Sequence, residues 1–167
     1  MRLLLPCLVA FTTSVSAVGN ALVLNNSTST IYAWSVGSAV GLRQTIIPGI
    51  SSNHSPSPDV LTRQGGLYLE PFHRDETTGG MAIKLTKGPD GLYNGEPQQV
   101  FSYNLDGEQV WYDLSSIFGA PFAGQRVEVT SNTGGPIVWP TGVNPGGSQV
   151  KVARSDENVW FTVYGSN

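Results

Sequence analysis

The chain has 167 residues, a formal net charge of −3 and a single cysteine, Cys7. This length suffices for one domain with its own hydrophobic core. The weakly acidic balance and the absence of any Lys or Arg cluster exclude nucleic acid as a partner, because phosphate backbones require a basic surface.

The first 17 residues have the pattern of a cleaved secretory signal peptide. One cation and the apolar run Leu3–Phe11 precede small and polar residues that end at Ala17. The apolar run is shorter than the roughly 20 residues that cross a bilayer, and no later stretch comes close, so we expect no membrane insertion. Cleavage after Ala17 leaves a single domain over residues 18–167, and cleavage after Gly19 is the alternative.

Removal of the signal peptide also removes the only cysteine. The mature chain then holds eight Lys or Arg against twelve Asp or Glu, a formal charge of −4. Small secreted domains usually rely on disulfides, whereas this chain has to be stabilised by apolar burial alone. Four Trp, six Tyr and the five Phe that remain after Phe11 is removed supply the large side chains for such a core.

Short β-branched and aromatic runs, separated by Gly and Pro, follow one another along the mature chain. No helical period is sustained for three turns, so the pattern predicts an all-β sandwich or barrel of about ten short strands. The strands are predicted at residues 21–25, 30–36, 42–47, 66–70, 81–86, 99–104, 109–113, 125–131, 137–139, 149–154 and 159–164.

Residues 101–124 contain six aromatic and three acidic side chains. The alternation that begins at Phe101 and the turn dipeptide Asp106-Gly107 predict a β-hairpin. Beyond the hairpin, residues 113–119 are predicted to form one helical turn that Asp113 or Ser115 caps and Gly119 closes.

Glycosylation sequons begin at Asn25, Asn26 and Asn53. The first two overlap, so at most one of that pair is expected to carry a glycan. These sites are expected on exposed loops.

Three carboxylates, Asp106, Glu108 and Asp113, form a candidate acidic cleft, because a glycosidase needs two carboxyl groups about 5 to 10 Å apart. Each residue also has a structural interpretation: a hairpin residue for Asp106, a solvated turn residue for Glu108 and a helix cap for Asp113. The structural interpretation is favoured, and we expect no catalytic residues.

The two histidines, His54 and His73, do not occur in a spacing typical of metal ligands. Neither is placed with a serine and a carboxylate in a recognisable nucleophilic arrangement. We therefore expect no metal and no cofactor.

Exposed aromatic side chains are the remaining binding hypothesis, since sugar rings stack on Trp and Tyr. At least three of the four Trp are expected to be buried in the core. Trp139, which lies beside Pro140 and a loop rich in Gly, and Tyr93, which precedes Asn94-Gly95, are the predicted surface aromatics.

Several segments carry a resemblance to a known family: residues 19–26, 33–37, 78–85, 90–93 and above all 101–124, with the motifs YNLDG, WYDLS and PFAG. Together they resemble the Blastomyces yeast-phase-specific, or antigenic thaumatin-like, family of small secreted fungal proteins. The resemblance implies a thaumatin-like β-sandwich without the disulfide framework of thaumatins, and an extracellular or wall-associated location. It also implies that Asp113 falls where thaumatin-like proteins carry a cleft acid.

The function favoured at this point is that of a secreted, non-catalytic protein that acts by surface recognition. The resemblance implies an effector or elicitor of plant defence that contributes to virulence, or a cell-wall antigen. Its expected partner is a host surface receptor or a cell-wall polysaccharide, and we expect a monomer. The alternative is a protein that binds β-glucan or hydrolyses it weakly.

Overall fold

In the computed structural model, which describes residues 17–49 and 66–165, the chain forms eleven strands in two sheets. The strands are β1 (Asn20–Asn26), β2 (Ile31–Val36), β3 (Gln44–Ile46), β4 (Leu67–Pro71), β5 (Met81–Thr86), β6 (Gln98–Asp106), β7 (Gln109–Ile117), β8 (Val127–Thr130), β9 (Ile137–Trp139), β10 (Lys151–Arg154) and β11 (Val159–Tyr164). These residues contain no helix, so none that could cross a membrane, and the all-β prediction is confirmed.

The two sheets face each other as a sandwich. One has five strands in the order β4-β1-β11-β8-β9, and the other has six in the order β10-β7-β6-β5-β2-β3. Strands β1 and β11 pair in parallel, with Ala21 opposite Val159, so the first and last strands lie side by side. The other strand pairs are antiparallel.

Side chains alternate between the core and the solvent along each strand, as the period of two requires. In β7, Val110, Tyr112 and Leu114 are buried, whereas Trp111 is exposed. Between the sheets, the ring of Phe101 from β6 stacks on Phe161 from β11 with 6.1 Å between centroids. Aromatic packing across the sandwich therefore holds the sheets together.

The predicted helical turn over residues 113–119 is wrong, because β7 continues to Ile117. The β6–β7 ladder pairs Asp113 with Ser102 and extends to Ile117 opposite Gln98. Pairing with a neighbouring strand overrides the local capping signal, and Asp113 caps no helix. The strand ends at Phe118 and Gly119, which both have positive φ, of 59° and 118°.

The predicted exposure of Trp139 is also wrong. Its indole is fully buried on the inner face of β9, opposite Val127, and its Nε1 donates a hydrogen bond of 2.8 Å to Gln149 Oε1. Trp34 is buried as well, whereas Trp160 is only half-buried and Trp111 is exposed. Two of the four Trp are thus buried, whereas at least three were expected to be.

Asn25 is fully buried, which contradicts its prediction as a glycosylation site. Its Nδ2 donates hydrogen bonds of 2.8 Å to the carbonyls of Ser29 and Ile46, so a glycan on that nitrogen would replace one of the two donated hydrogens and remove at least one of these hydrogen bonds. Asn26 is exposed, and its glycosylation stays a prediction. Asn53 and residues 1–16 of the predicted signal peptide lie outside the described residues.

A buried carboxylate joins the edge of the five-stranded sheet to the opposite sheet. Glu70 of β4 accepts a hydrogen bond of 2.5 Å from the Tyr68 hydroxyl and one of 2.6 Å from the Tyr103 hydroxyl of β6. Hydrogen bonds to an ionised oxygen are about twice as strong as neutral ones. We call Tyr68, Glu70 and Tyr103 the inter-sheet clasp.

We predict that Tyr103→Phe destabilises the protein, because it leaves one buried oxygen of Glu70 without its donor. The free energy of unfolding should fall by about 1 to 3 kcal/mol in urea titrations. The matched control is Tyr93→Phe, at a residue that is 71% exposed, and it should change stability by less than about 0.5 kcal/mol. Equal stability of the two variants would contradict the role of the clasp.

The clasp also predicts a loss of stability at alkaline pH. Burial first, and then the hydrogen bond to Glu70, raise the pKa of Tyr68 and Tyr103 well above the ordinary value of 10.0. The folded state therefore favours the neutral phenols, and this stabilisation is intact below pH 10 and is lost as the pH rises above it. Tyrosinate absorbance from these two residues should appear together with the loss of the far-UV β-sheet signal; their ionisation in a fully folded protein near pH 10 would contradict the assignment.

Candidate functional site

The outer face of the six-stranded sheet carries a shallow depression of about 100 Å³. It lies over β6 and β7 and is bordered by Val150, just before β10. Its lining is Ser102, Tyr103, Trp111, Tyr112, Asp113 and Val150. Since Tyr103 and Tyr112 are buried, the solvent-facing side chains are those of Ser102, Trp111, Asp113 and Val150.

Strand register brings these side chains together. Asp113 lies opposite Ser102, and Trp111 lies between Asn104 on β6 and Val152 on β10. Residues two apart in a strand share a face and are about 7 Å apart, and neighbouring strands are about 4.8 Å apart. We call the outward-facing residues Ser102, Asn104, Trp111, Asp113, Val150 and Val152 the Trp111 patch.

The polar groups of the Trp111 patch are held in place. The Ser102 hydroxyl donates a short hydrogen bond to Asp113 Oδ1. The Arg74 guanidinium donates to Asn104 Oδ1 at 3.1 Å and to the Leu105 carbonyl at 3.4 Å. Within residues 17–49 and 66–165, neither Asp113 Oδ2 nor Asn104 Nδ2 forms a hydrogen bond, so one acceptor and one donor of the Trp111 patch are left unused.

Asp75 organises the loop that presents Arg74. Its carboxylate accepts hydrogen bonds from the Ser38 amide and hydroxyl at 2.9 and 2.7 Å and from the amides of Thr77 and Thr78 at 2.9 and 2.8 Å. The Ser38 hydroxyl, followed by these backbone amides, holds the pKa of Asp75 well below its ordinary value. The loop between β4 and β5 is thereby tied to the one that follows β2.

The three acids predicted as a cleft do not come together. Asp106 and Glu108 are exposed on either side of Gly107, whose φ of 58° makes the β6–β7 turn. Asp113 lies four residues beyond Gln109 in β7, so it is about 13 Å further along the strand. Only Asp113 belongs to the Trp111 patch.

The prediction that Tyr93 is a surface aromatic is confirmed, since it is 71% exposed and meets Trp34 edge-on at 6.4 Å. It lies on the loop between β5 and β6. At the same end of the sheet, Phe118 is 69% exposed in the turn after β7. The two segments adjoin, because the Pro97 side chain lies 3.3 Å from the position of a Cβ on Gly119.

Metal-binding groups do not assemble in the part of the chain that the structure describes. No three His, Cys, Asp or Glu side chains there lie close enough together to hold an ion. The exposed His73 instead places Nδ1 3.1 Å from the Pro71 carbonyl and 3.2 Å from the Tyr103 hydroxyl.

Sequence reasoning named Asp113, but it missed Ser102, Asn104 and Arg74. The alternation along β7 already places Trp111 and Asp113 on one face, so their proximity could have been predicted from the sequence. The contact of Arg74 with Asn104 could not have been predicted from the sequence, because it joins residues 30 apart in the chain.

Comparisons with known proteins agree with the fold. The family described as Blastomyces yeast-phase-specific protein matches residues 8–165. An antigenic thaumatin-like protein of Arthroderma benhamiae is 27% identical over 112 residues, which are 67% of this chain and 48% of that protein. The chain thus spans about half the length of this curated relative.

A solved structure shares the architecture. The crystal structure of the protein elicitor MoHrip2 from Magnaporthe oryzae superposes with a TM-score of 0.63 and 22% sequence identity. The match covers 87% of this chain and 98% of that one. The likeness establishes a common fold over almost all of the elicitor's length.

We predict that Asp75→Asn destabilises the protein at neutral pH and removes part of its acid sensitivity. A lowered pKa means that Asp75 contributes stability above its ordinary value of 3.8 and that this contribution is lost as the pH falls below it. The difference in melting temperature between wild type and variant should therefore be constant from about pH 7 to about pH 5 and shrink as the pH falls from there to about pH 3, without closing there. Glu76→Gln, at the exposed neighbouring acid, is the control, and a constant gap across this range would contradict the assignment.

Proposed function

The chain belongs to the Blastomyces yeast-phase-specific protein family, and from that premise we propose that it is a secreted, non-catalytic protein that acts by surface recognition. Its proposed role is to elicit host defence responses, or to serve as a wall-associated antigen. The names of its relatives, a fungal antigenic protein and a fungal elicitor of the same fold, support this proposal.

The observation that carries the proposal is the exposure of two aromatic side chains on adjoining segments. Tyr93 and Phe118 leave 71% and 69% of their surface in solvent. Aromatic residues dominate the binding energy of protein interfaces, since they bury a large area at a small cost in side-chain entropy. We call the loop of residues 87–97 and the turn of residues 117–120 the aromatic end of the sandwich.

The backbone at Phe118 supports the same conclusion. Its φ of 59° is in the left-handed region, which bulky residues other than glycine rarely adopt. Such strain costs about 1 to 3 kcal/mol and is found mainly at functional sites. Here it directs a large apolar side chain into solvent, where it contributes little to the fold and is available to a partner.

The non-catalytic part of the proposal is supported by the positions of the candidate acids. Asp106 and Glu108 flank an exposed hairpin turn, and Asp113 accepts a hydrogen bond from Ser102 on the outer face of the six-stranded sheet. Glycosidases hold their two carboxyl groups across a bound sugar, with separations of about 5 to 10 Å. Incubation with β-1,3-glucan should release no reducing ends, and release that Asp113→Asn abolishes would contradict this part.

We predict that the double variant Tyr93→Ala/Phe118→Ala loses elicitor activity while it stays folded. The secreted protein would be infiltrated into leaves, and the burst of reactive oxygen would be measured over a range of protein concentrations. Loss of two exposed aromatic contacts should raise the concentration for half-maximal response by at least about tenfold.

The matched control is Leu69→Ala, at an apolar residue that is 44% exposed on β4, in the other sheet. It should elicit like the wild type. A wild-type protein that gives no response in any tested host would contradict the elicitor role and leave the antigen role, which immunolabelling of the cell wall tests. An active double variant would place recognition elsewhere on the surface.

A further inference from the structure

We propose that Asn94 is a site of spontaneous deamidation, at which the folded chain converts this asparagine to aspartate or isoaspartate without an enzyme. Asn94 precedes Gly95 on the loop between β5 and β6, directly beside Tyr93 of the aromatic end. The modification itself is independent of the proposed elicitor role. Its effect on recognition, given below, rests on the proposed function.

The reaction needs only the chain and water. The backbone nitrogen of Gly95 attacks Cγ of Asn94, so a bond from this nitrogen to Cγ forms and the bond from Cγ to Nδ2 breaks. The Gly95 nitrogen gives its proton to solvent, and Nδ2 takes up a proton and leaves as ammonia. Water then opens the five-membered succinimide at one of its two carbonyls, which yields aspartate or isoaspartate. Both reacting groups belong to neighbouring residues, so the attack is intramolecular.

The attacking nitrogen of Gly95 is accessible. Asn94 and Gly95 are both exposed, and within residues 17–49 and 66–165 the Gly95 amide donates no hydrogen bond. No heavy atom beyond its chain neighbours lies within 4 Å of the position that a Cβ on residue 95 would take. Because glycine has no side chain to shield the nitrogen, the path to Cγ is open.

Glu96 holds the side-chain amide of Asn94 at both ends. The Glu96 backbone N–H donates to Asn94 Oδ1 at 3.1 Å, and Asn94 Nδ2 donates to Glu96 Oε1 at 2.7 Å. Negative charge develops on Oδ1 during the attack, and the backbone donor stabilises it as an oxyanion-hole donor does. Nδ2 becomes cationic when it takes up its proton, and the neighbouring carboxylate stabilises that charge.

The other asparagines lack this combination, since Asn94 alone precedes a glycine in the sequence. Asn132 is the useful comparison, because it is also exposed in a turn. It precedes Thr133, whose side chain is branched at Cβ and whose backbone N–H donates to Glu157 Oε1 at 3.1 Å. The nitrogen that would attack Asn132 is therefore both shielded and hydrogen-bonded.

The product removes contacts that shape the aromatic end. A carboxylate replaces the Asn94 amide that donated to Glu96, so an attraction becomes a repulsion between like charges. Glu96 also accepts a hydrogen bond of 3.1 Å from the Gly88 amide and thereby joins the two ends of the loop. Isoaspartate in addition inserts a methylene group into the main chain next to Tyr93. Deamidation should therefore loosen the loop and weaken recognition through Tyr93.

The test is peptide mapping of the purified protein during storage in neutral buffer, with chromatography that separates the asparagine, aspartate and isoaspartate forms. The Asn94 peptide should convert at least about tenfold faster than the Asn132 peptide. Isoaspartate should be among its products, because the succinimide opens at either carbonyl. A sample unfolded in guanidinium is stored in parallel, and the folded protein should convert at least as fast as the unfolded one.

We predict that Glu96→Gln slows deamidation of the folded protein by about threefold to tenfold, because a neutral amide stabilises the departing cationic nitrogen less than a carboxylate does. The same variant should convert like the wild type when both are unfolded. Glu76→Gln, at an exposed acid on the loop between β4 and β5, is the matched control and should convert like the wild type in both states.

Either of two outcomes would overturn the site: an Asn94 that persists in the folded protein while it converts in the unfolded chain, or a folded Glu96→Gln variant that converts at the wild-type rate. The leaf assay then compares fresh with converted protein, and Asn94→Gln stored in the same way is the control. Converted protein should need a concentration at least about threefold higher for a half-maximal response, and an unchanged response would overturn the effect on recognition. Fresh protein that deamidates as expected and elicits nothing fails only the elicitor proposal.

Discussion

The register of β6 against β7 is the constraint on which the rest of this structure depends. It places Tyr103 opposite Tyr112 on the inner face and Asn104 opposite Trp111 on the outer face. Because side chains alternate with a period of two, a slip by one residue would expose the buried tyrosines and bury Trp111. The same strands thus supply the aromatic core and the solvent-facing patch, and neither can form without the other.

The sandwich is closed by contacts that lie far apart in the chain. Strand β1 pairs in parallel with β11, and Glu70 of β4 bonds to Tyr103 across the two layers. The residues that the structure describes contain no cysteine, since the single Cys7 lies outside them, so these contacts and the stacked rings of Phe101 and Phe161 hold the two sheets together without a disulfide. Loops at the edges of the sandwich are then free to carry exposed aromatic residues such as Tyr93.

The strands could be predicted well from the sequence, because β-branched and aromatic runs between Gly and Pro are a local signal. Each predicted strand corresponds to an observed one, and the main error was to end β7 at Asp113 instead of Ile117. That error came from a local capping pattern that pairing with β6 overrides. Local patterns therefore located the strands but not their full lengths.

The faces and the site were harder to predict, because burial depends on the partner that covers a side chain. Trp139 was expected on the surface from its neighbour Pro140, but Gln149 and the opposite sheet enclose it. Asn25 carries a sequon, yet the carbonyls of Ser29 and Ile46 bind its amide in the interior. These contacts and that of Arg74 with Asn104 are products of the fold and leave no trace in local sequence.

The most direct test of this account is hydroxyl-radical footprinting of the native protein, with the oxidation rate of each tryptophan read by mass spectrometry. The observed register predicts that Trp111 is oxidised many times faster than Trp34 and Trp139, which are buried. A Trp139 that reacts as fast as Trp111, or a Trp111 that is as protected as Trp34, would contradict the register and with it the Trp111 patch.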